Sequence, residues 1–300
     1  MGLAMNDLIA LVDGLRSRLD TPNGKFPLGH LGIISCGNII RIRHVPFYEH
    51  HIVVILSGRK VMFDAGDPLI FAAGSAITVP APGSFNLCNE PDTNGHPYYA
   101  IGIPFKNSHL ERLRKVYDID HIGQPDDIGV LNFRCNEILT ASVKHYLESP
   151  NEPRMLEHRL MEILLVLVEK DARLMSYALN QENWSQKVRS ILSADIAREW
   201  GLADVCRHLA TSESTLRRNL QLEDTGFREL LYELRLSSAL TQLLQTSAPI
   251  YQVAYDCGYR SVSRFSSNFR KRFGLPPTEF RASMDEKEQI LAVTEQPAMP

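Results

Sequence analysis

The chain lacks any apolar run long enough to cross a bilayer. Nothing in its 300 residues approaches the ~18 uninterrupted apolar positions that a spanning helix needs. Cysteine is sparse: five thiols stand at 36, 88, 135, 206 and 257, scattered, odd in number and without a Cys-x-x-Cys pair. That pattern argues against a disulfide framework or a zinc ribbon and for reduced, buried thiols. The opening stretch has acidic Asp7 before its apolar run and no basic leader. A secretory signal is therefore not expected, and a cytoplasmic, non-membrane protein is. Low-complexity segments are absent. What remains is an ordinary globular composition, 44% hydrophobic and 22% charged, with enough length for two domains.

The net charge of −3 conceals an asymmetry. Residues 184–281 hold 14 Lys and Arg against 10 Asp and Glu, and the rest of the chain holds 18 against 25. A basic module joined to an acidic one is the footprint expected when one half meets a polyanion.

After a short amphipathic helix expected at 5–19, the segments IIRIRHV, HIVVIL, RKVMFD, AITVP and YYAIGIPF are short and β-rich. Gly and Pro punctuate them at Ser57-Gly58, Gly66-Asp67-Pro68, Pro80 to Gly83 and Asn94-Gly95. Such spacing predicts a barrel or sandwich. Helices are expected next at 107–117, 127–148 and 153–178. The last carries an apolar stripe of Met155, Leu160, Ile163, Leu164, Leu167 and Leu174, suited to covering the barrel or pairing two subunits. The pattern pauses at 180–183, and short helices follow to about 284.

Two copies of one theme fill that last part. In residues 202–221, Leu202, Val205 and Leu209 share one helical face, Ala210-Thr211 makes a turn, and Ser212 can cap the next helix. In residues 250–281, Ile250, Val253, Ala254 and Cys257 form the apolar face. Gly258 ends that helix, and Phe265, Phe269 and Phe273 line the inner face of the following one. A long helix at about 227–246 joins the copies and would fix their spacing. Helices that bury apolar residues and present Ser and Arg outward suit a DNA major groove.

LADVCRHLATSESTLRRNL, RLSSALTQLL and IYQVAYDCGYRSVSRFSSNFRKRFGLPPTEFR together resemble the AraC/XylS family of bacterial transcription regulators. The matching positions are Ile250, Val253, Ala254, Cys257, Gly258, Tyr259, Ser261, Ser263, Phe265, Phe269, Phe273, Gly274 and Pro277. Three departures stand out: Asp224-Thr225-Gly226 before Phe227, Cys206 in place of Ala, and Arg264 in place of an aromatic. The resemblance implies helices at about 212–222 and 261–272 in adjacent major grooves. The expected DNA-binding residues are Ser212, Ser214, Thr215, Arg217, Arg218 and Gln221 in the first. In the second they are Ser261, Val262, Ser263, Arg264, Ser267, Arg270 and Lys271, with Arg270, Lys271 and Arg272 on phosphates.

LSGRKVMFDAGDPLIFAAGSAITVPAPGSFNLCN is similar to the cupin-like sensor domain that precedes this module in many family members. The implied fold is α+β: a cupin-like β-barrel followed by helices over 1–180, a double helix-turn-helix domain over 181–285, and a tail over 286–300. A small organic effector is expected inside the barrel, near His44, His51, Val53, Phe63, Phe85 and Tyr99. His44, Glu49, His50 and His51 tempt a metal reading. However, His50 and His51 are adjacent and would point to opposite faces of a strand, and no His follows Pro82-Gly83. No metal, cofactor or catalytic residue is therefore expected. The leading function is a ligand-responsive transcription activator, homodimeric and partnered by RNA polymerase. The alternatives are a constitutive DNA-binding protein whose N-terminal part only dimerises, and a metal-dependent cupin enzyme fused to a DNA module.

Overall fold

The computed structural model describes residues 7–11, 32–63, 67–119, 129–149, 153–179 and 183–284. Residues 7–11 are helical. The rest of the helix expected at 5–19, residues 180–182 and the tail lie outside the described residues. Two compact units divide the chain: residues 1–180 with 279–300, and residues 181–278.

The first unit holds β1 (Gly32–Cys36), β2 (Ile40–Phe47), β3 (His50–Ser57), β4 (Arg59–Phe63), β5 (Leu69–Ala72), β6 (Ser75–Val79), β7 (Gly83–Glu90), β8 (Tyr98–Phe105) and β9 (Leu131–Arg134). They form two sheets of order β1-β8-β3-β6-β9 and β2-β7-β4-β5. Every pairing is antiparallel. Among the described residues no ladder joins one sheet to the other, so the barrel takes the form of two open sheets.

Strand β3 reads as a continuous apolar run because both its faces are buried. Ile52, Val54 and Leu56 face a helical layer, while Phe47 on β2 meets His51 edge-on at 5.2 Å across the gap between sheets. The layer consists of α1 (Asn107–Tyr117), α2 (Glu137–Leu147), α3 (Pro153–Lys170) and a 3-10 helix (Ala172–Leu179). Leu160, Ile163, Leu164 and Leu167 recur at helical spacing and bury themselves in one core with Ile52, Val54, Ile101 and Ile103, where α3 packs chiefly on α2, α1 and the 3-10 helix. At about 1.5–3 kcal/mol per buried aliphatic side chain, this face supplies much of the unit's stability. Most of the 153–178 stripe is thus occupied within the chain. Of the segment expected as one helix over 127–148, residues 127–128 lie outside the described residues and the rest divides instead. Leu131 and Phe133 alternate inward on β9, which pairs with β6, and Asn136 then caps α2 by accepting from the Leu139 N–H at 3.1 Å.

His50 is a polar exception in this core. Its Nδ1 accepts from the Ala81 backbone N–H at 2.8 Å, which forces the ring proton onto Nε2, 2.6 Å from Asn107 Oδ1. The ring stacks on Tyr177 at 4.9 Å. Burial is the largest influence and holds His50 below its usual 6.5, against the opposing pull of the Asn107 hydrogen bond; burial lowers His51 likewise. The unfolded chain therefore takes up these protons first, so stability is complete above pH 6.5 and falls as pH drops below it. Each histidine contributes a slope of at most about 1.4 kcal/mol per pH unit. Urea titrations between pH 5 and 8 should show this decline, and His50→Gln should flatten it.

The second unit is helical: α4 (Trp184–Leu192), α5 (Leu202–His208), α6 (Glu213–Leu222), α7 (Phe227–Gln245), α8 (Ile250–Asp256) and α9 (Val262–Phe273), with α10 (Pro277–Met284) straddling the division. α7 buries Leu230, Leu234, Leu236, Ala239, Leu240 and Leu243, with Phe227, Leu231 and Leu244 half-buried. It packs against α4, α8 and α9, so more than one of its faces is apolar.

Candidate nucleic-acid interface

Pairs α5–α6 and α8–α9 are built alike. In the second, Gly258 takes φ 77°, its N–H donates to Tyr255 O at 2.8 Å, and the Tyr259 N–H donates to Ala254 O at 2.9 Å. That is a Schellman closure, with glycine where a left-handed backbone is required. The first pair repeats it with Ala210 at φ 49°, Ala210 N–H to Arg207 O and Thr211 N–H to Cys206 O. Alanine there costs about 1–2 kcal/mol that glycine avoids. Ser212 then caps α6 by accepting from Thr215 N at 3.1 Å, and Ser261 caps α9 by accepting from Arg264 N at 3.3 Å. Asp224 closes α6 at φ 51°, with Thr225 N–H on Leu220 O, so this departure in sequence keeps an ordered helix end. Glu223 ties the same end to α4 by accepting from the backbone N–H groups of Trp184 and Ser185.

The buried faces of the two following helices are Leu216 and Leu220 on α6, and Phe265, Phe269 and Phe273 on α9. Their outward faces collect most of the expected residues. Ser212, Ser214, Arg217, Arg218 and Gln221 are exposed on the first, with Thr215 half-buried. Ser261, Ser263, Arg264, Ser267, Arg270 and Lys271 are exposed on the second, with Val262 half-buried. Arg217 is held by Glu213 at 3.1 Å, whereas Arg218 has no ion-pair partner among the described residues. Arg272 departs from expectation: it turns inward to Glu233 at 3.4 Å rather than outward.

Composition and periodicity did not reveal how the motifs are tied together. Glu233 on α7 bridges Arg272 of α9 and Arg189 of α4, the latter at 3.5 Å. Two positions on, Arg235 donates to Ile196 O at 3.2 Å and Arg198 O at 2.9 Å. Its guanidinium lies where a Cβ on Gly258 would stand, 2.7 Å away. Arg260, just past the second turn, pairs with Glu199. α7 thus holds the second motif directly, through charged groups as well as apolar ones, and reaches the first through α4, which packs on α5 and α6.

In the first unit the expected pocket residues separate. His51, Val53 and Phe85 point between the sheets, where Phe47 meets both His51 and Phe85, the latter at 5.8 Å. Tyr99 instead joins the helix-side core, His44 is exposed at a bulge with φ 51°, and Phe63 is 40% exposed. Among the described residues no group of three or more His, Cys, Asp or Glu could hold a metal. No helix among them is long and apolar enough to cross a membrane.

Two capped helix pairs joined by one connecting helix, in a chain that also holds a two-sheet domain, define a helix-turn-helix transcription regulator. A helix-turn-helix domain family matches residues 205–283. The transcriptional regulator GadX of Shigella flexneri is 36% identical over 239 residues, covering 78% of this chain and 84% of that protein. The transcriptional activator CsvR of Escherichia coli is 37% identical over 97 residues, 32% of this chain and 36% of its own length. Crystal structures of ToxT from Vibrio cholerae share the fold. An apo variant has TM-score 0.63 at 18% identity over 85% of this chain and 97% of its own; a form bound to an unsaturated fatty acid has TM-score 0.59 at 20% identity over 85% and 95%. The chain belongs to the AraC/XylS family of transcription regulators, and its partner is DNA.

Proposed function

We propose that α6 and α9 enter adjacent major grooves of a promoter operator, and that residues 1–180 hold a small-molecule effector that biases this reading. The supporting observation is the pair of exposed, Ser- and Arg-bearing helix faces on identically closed motifs joined by one stiff helix. Ser214, Arg218 and Gln221 read bases from the first helix, with Arg217 joining them once it leaves Glu213. Val262, Ser263, Arg264 and Ser267 read from the second, Val262 against a thymine methyl. Ser212, Thr215 and Ser261 order the helix N-termini that approach phosphates, and Arg270 and Lys271 neutralise phosphates directly. Arg218→Ala should weaken operator binding by about 1–3 kcal/mol, roughly 5- to 150-fold in Kd. A gel-shift titration that leaves Kd unchanged removes Arg218 from the base contacts.

The regulator acts as an activator through RNA polymerase in the cytoplasm, and as a homodimer. Most of the α3 stripe is buried within the chain, which favours dimer contacts elsewhere. Val116 and Tyr117 at the end of α1 and Ile138 on α2 are exposed apolar groups suited to that role. Sedimentation at micromolar concentration, with and without operator, should show a dimer; a monomer in both removes this part. Effector control follows the general rule that a ligand shifts activity only through different affinities for two arrangements. ToxT, of like fold, has been crystallised with an unsaturated fatty acid.

A further inference from the structure

Lys60 stands on β4 and is 2% exposed. Burying an ammonium costs several kcal/mol unless an anion compensates it. Among the described residues no carboxylate pairs with this one. Glu90, on the neighbouring strand, pairs with Arg59 instead. Its hydrogen-bond and ring partners are neutral: Nζ donates to Asn89 Oδ1 at 2.7 Å and lies 5.5 Å from the ring centroid of Tyr98, which belongs to the opposite sheet, with the buried thiols of Cys36 and Cys88 near enough to act on its charge. The Tyr98 side chain is wholly buried, and its hydroxyl makes no hydrogen bond in this structure. A buried cation without a carboxylate and a tyrosine whose buried hydroxyl has no hydrogen-bond partner thus face each other between the two sheets, the ammonium over the tyrosine ring. Each costs stability by itself.

The register shows what surrounds them. Lys60 lies opposite Asn89, and the next inward pair on the same two strands is Met62 opposite Leu87. Ile40 and Ile42 extend these rows onto β2. One polar row therefore adjoins an apolar one. Among the described residues no strand ladder connects the two sheets, so side chains rather than paired backbone fill the space between them. Burial also holds the Lys60 amine down to about 8, a value that an incoming anion would raise.

We infer that Lys60, Asn89 and Tyr98 form a head-group site for a carboxylate carried on an apolar body, held between the sheets. The ammonium supplies the counter-charge, the Tyr98 hydroxyl donates to the carboxylate, and the Met62–Leu87 row receives the apolar body. This inference deepens the effector reading above and rests on it, but names residues outside the His51–Phe85 group.

The test uses the full chain and titrates oleate, decanoate and 4-phenylbutyrate, each beside its methyl ester, by calorimetry, with melting curves of the ligand-free proteins. The expected result is that at least one acid binds the native protein at least tenfold tighter than its ester. Lys60→Met should lose that tenfold margin while melting at or above the native temperature, since it removes an uncompensated charge. Tyr98→Phe should bind the acid more weakly without melting lower. Equal acid affinity in native protein and Lys60→Met overturns the head-group site and leaves effector control standing. Preference for the ester does the same. If both variants melt lower and keep the acid affinity, the cluster is structural and the inference fails. Binding of none of the six probes overturns the inference together with the lipid-like form of the effector reading.

Discussion

Phe269→Ala is expected to lose about 3–5 kcal/mol of stability in the DNA-binding unit, the usual cost of emptying a buried aromatic site. Phe269 is fully buried at the centre of a ring column, 5.7 Å from Phe265 and 4.7 Å from Phe273, with Tyr259 a further 5.3 Å from Phe265. Rings on successive turns of one helix, meeting at 58–62°, interlock by edge and face and cannot slide to fill a gap. The column also fixes the rotation of α9 about its axis, and that rotation decides which way Ser263 and Ser267 point. Losing the central ring should therefore abolish operator binding as well as lower the urea midpoint. Ser267→Ala, on the outer face of the same helix, should leave the midpoint within about 0.5 kcal/mol. A Phe269→Ala midpoint within about 1 kcal/mol of native would show that the column can collapse around a cavity, and would remove the ring stack as the source of α9's orientation.

Local signals made the reader legible before any coordinates were known. A left-handed closing residue, a serine cap before a helix and phenylalanines at helical spacing each act within one turn of chain, so Gly258, Ser212 and Phe265 could be assigned from sequence. The opposite faces of His50 and His51 were legible for the same reason, since alternation along a strand needs no partner. Long-range register was not legible. Leu131 to Arg134 is a four-residue strand whose alternation is too short to stand out, and it becomes a strand only because β6 offers an open edge. Tyr99 looked like a pocket residue, but one step of register sends it to the helices and sends Tyr98 between the sheets. Lys60 was hidden likewise. In Arg59-Lys60, two adjacent cations look equally exposed until the pairing with β7 turns one outward to Glu90 and the other inward to Asn89. Glu233 was overlooked because an acidic residue on a long helix looks like solvated surface. Only the folded geometry brings Arg189 and Arg272 to it from elements 44 and 39 positions away in sequence.

Glu233→Ala carries the second large effect, about 2–3 kcal/mol of stability and a loosened operator preference. Removing one partner of a buried ion pair costs about 3–5 kcal/mol because the other charge is left uncompensated. Here Arg189, Arg272 and Glu233 keep 14%, 20% and 22% of their side-chain surface in solvent, which moderates the cost. Two cations would then face a common space with no carboxylate between them, pushing α9 away from α4 and α7. The stability loss alone could come from any damaged core, so the discriminating readout is on DNA. Helix-turn-helix readers fall on one face of a duplex only when their spacing matches its turn of roughly 34 Å. A native protein held by Glu233 should discriminate sharply between an operator and the same operator with one base pair inserted between half-sites. Glu233→Ala should discriminate less, binding the native operator more weakly while losing little on the lengthened one. Glu233→Gln, which keeps the size and a hydrogen-bonding oxygen, should fall between them. If all three proteins show the same ratio of affinities for the two operators, Glu233 is a stabilising ion pair only. The spacing of the reading helices would then be set by the apolar face of α7 and by Arg235 against the turn at Gly258.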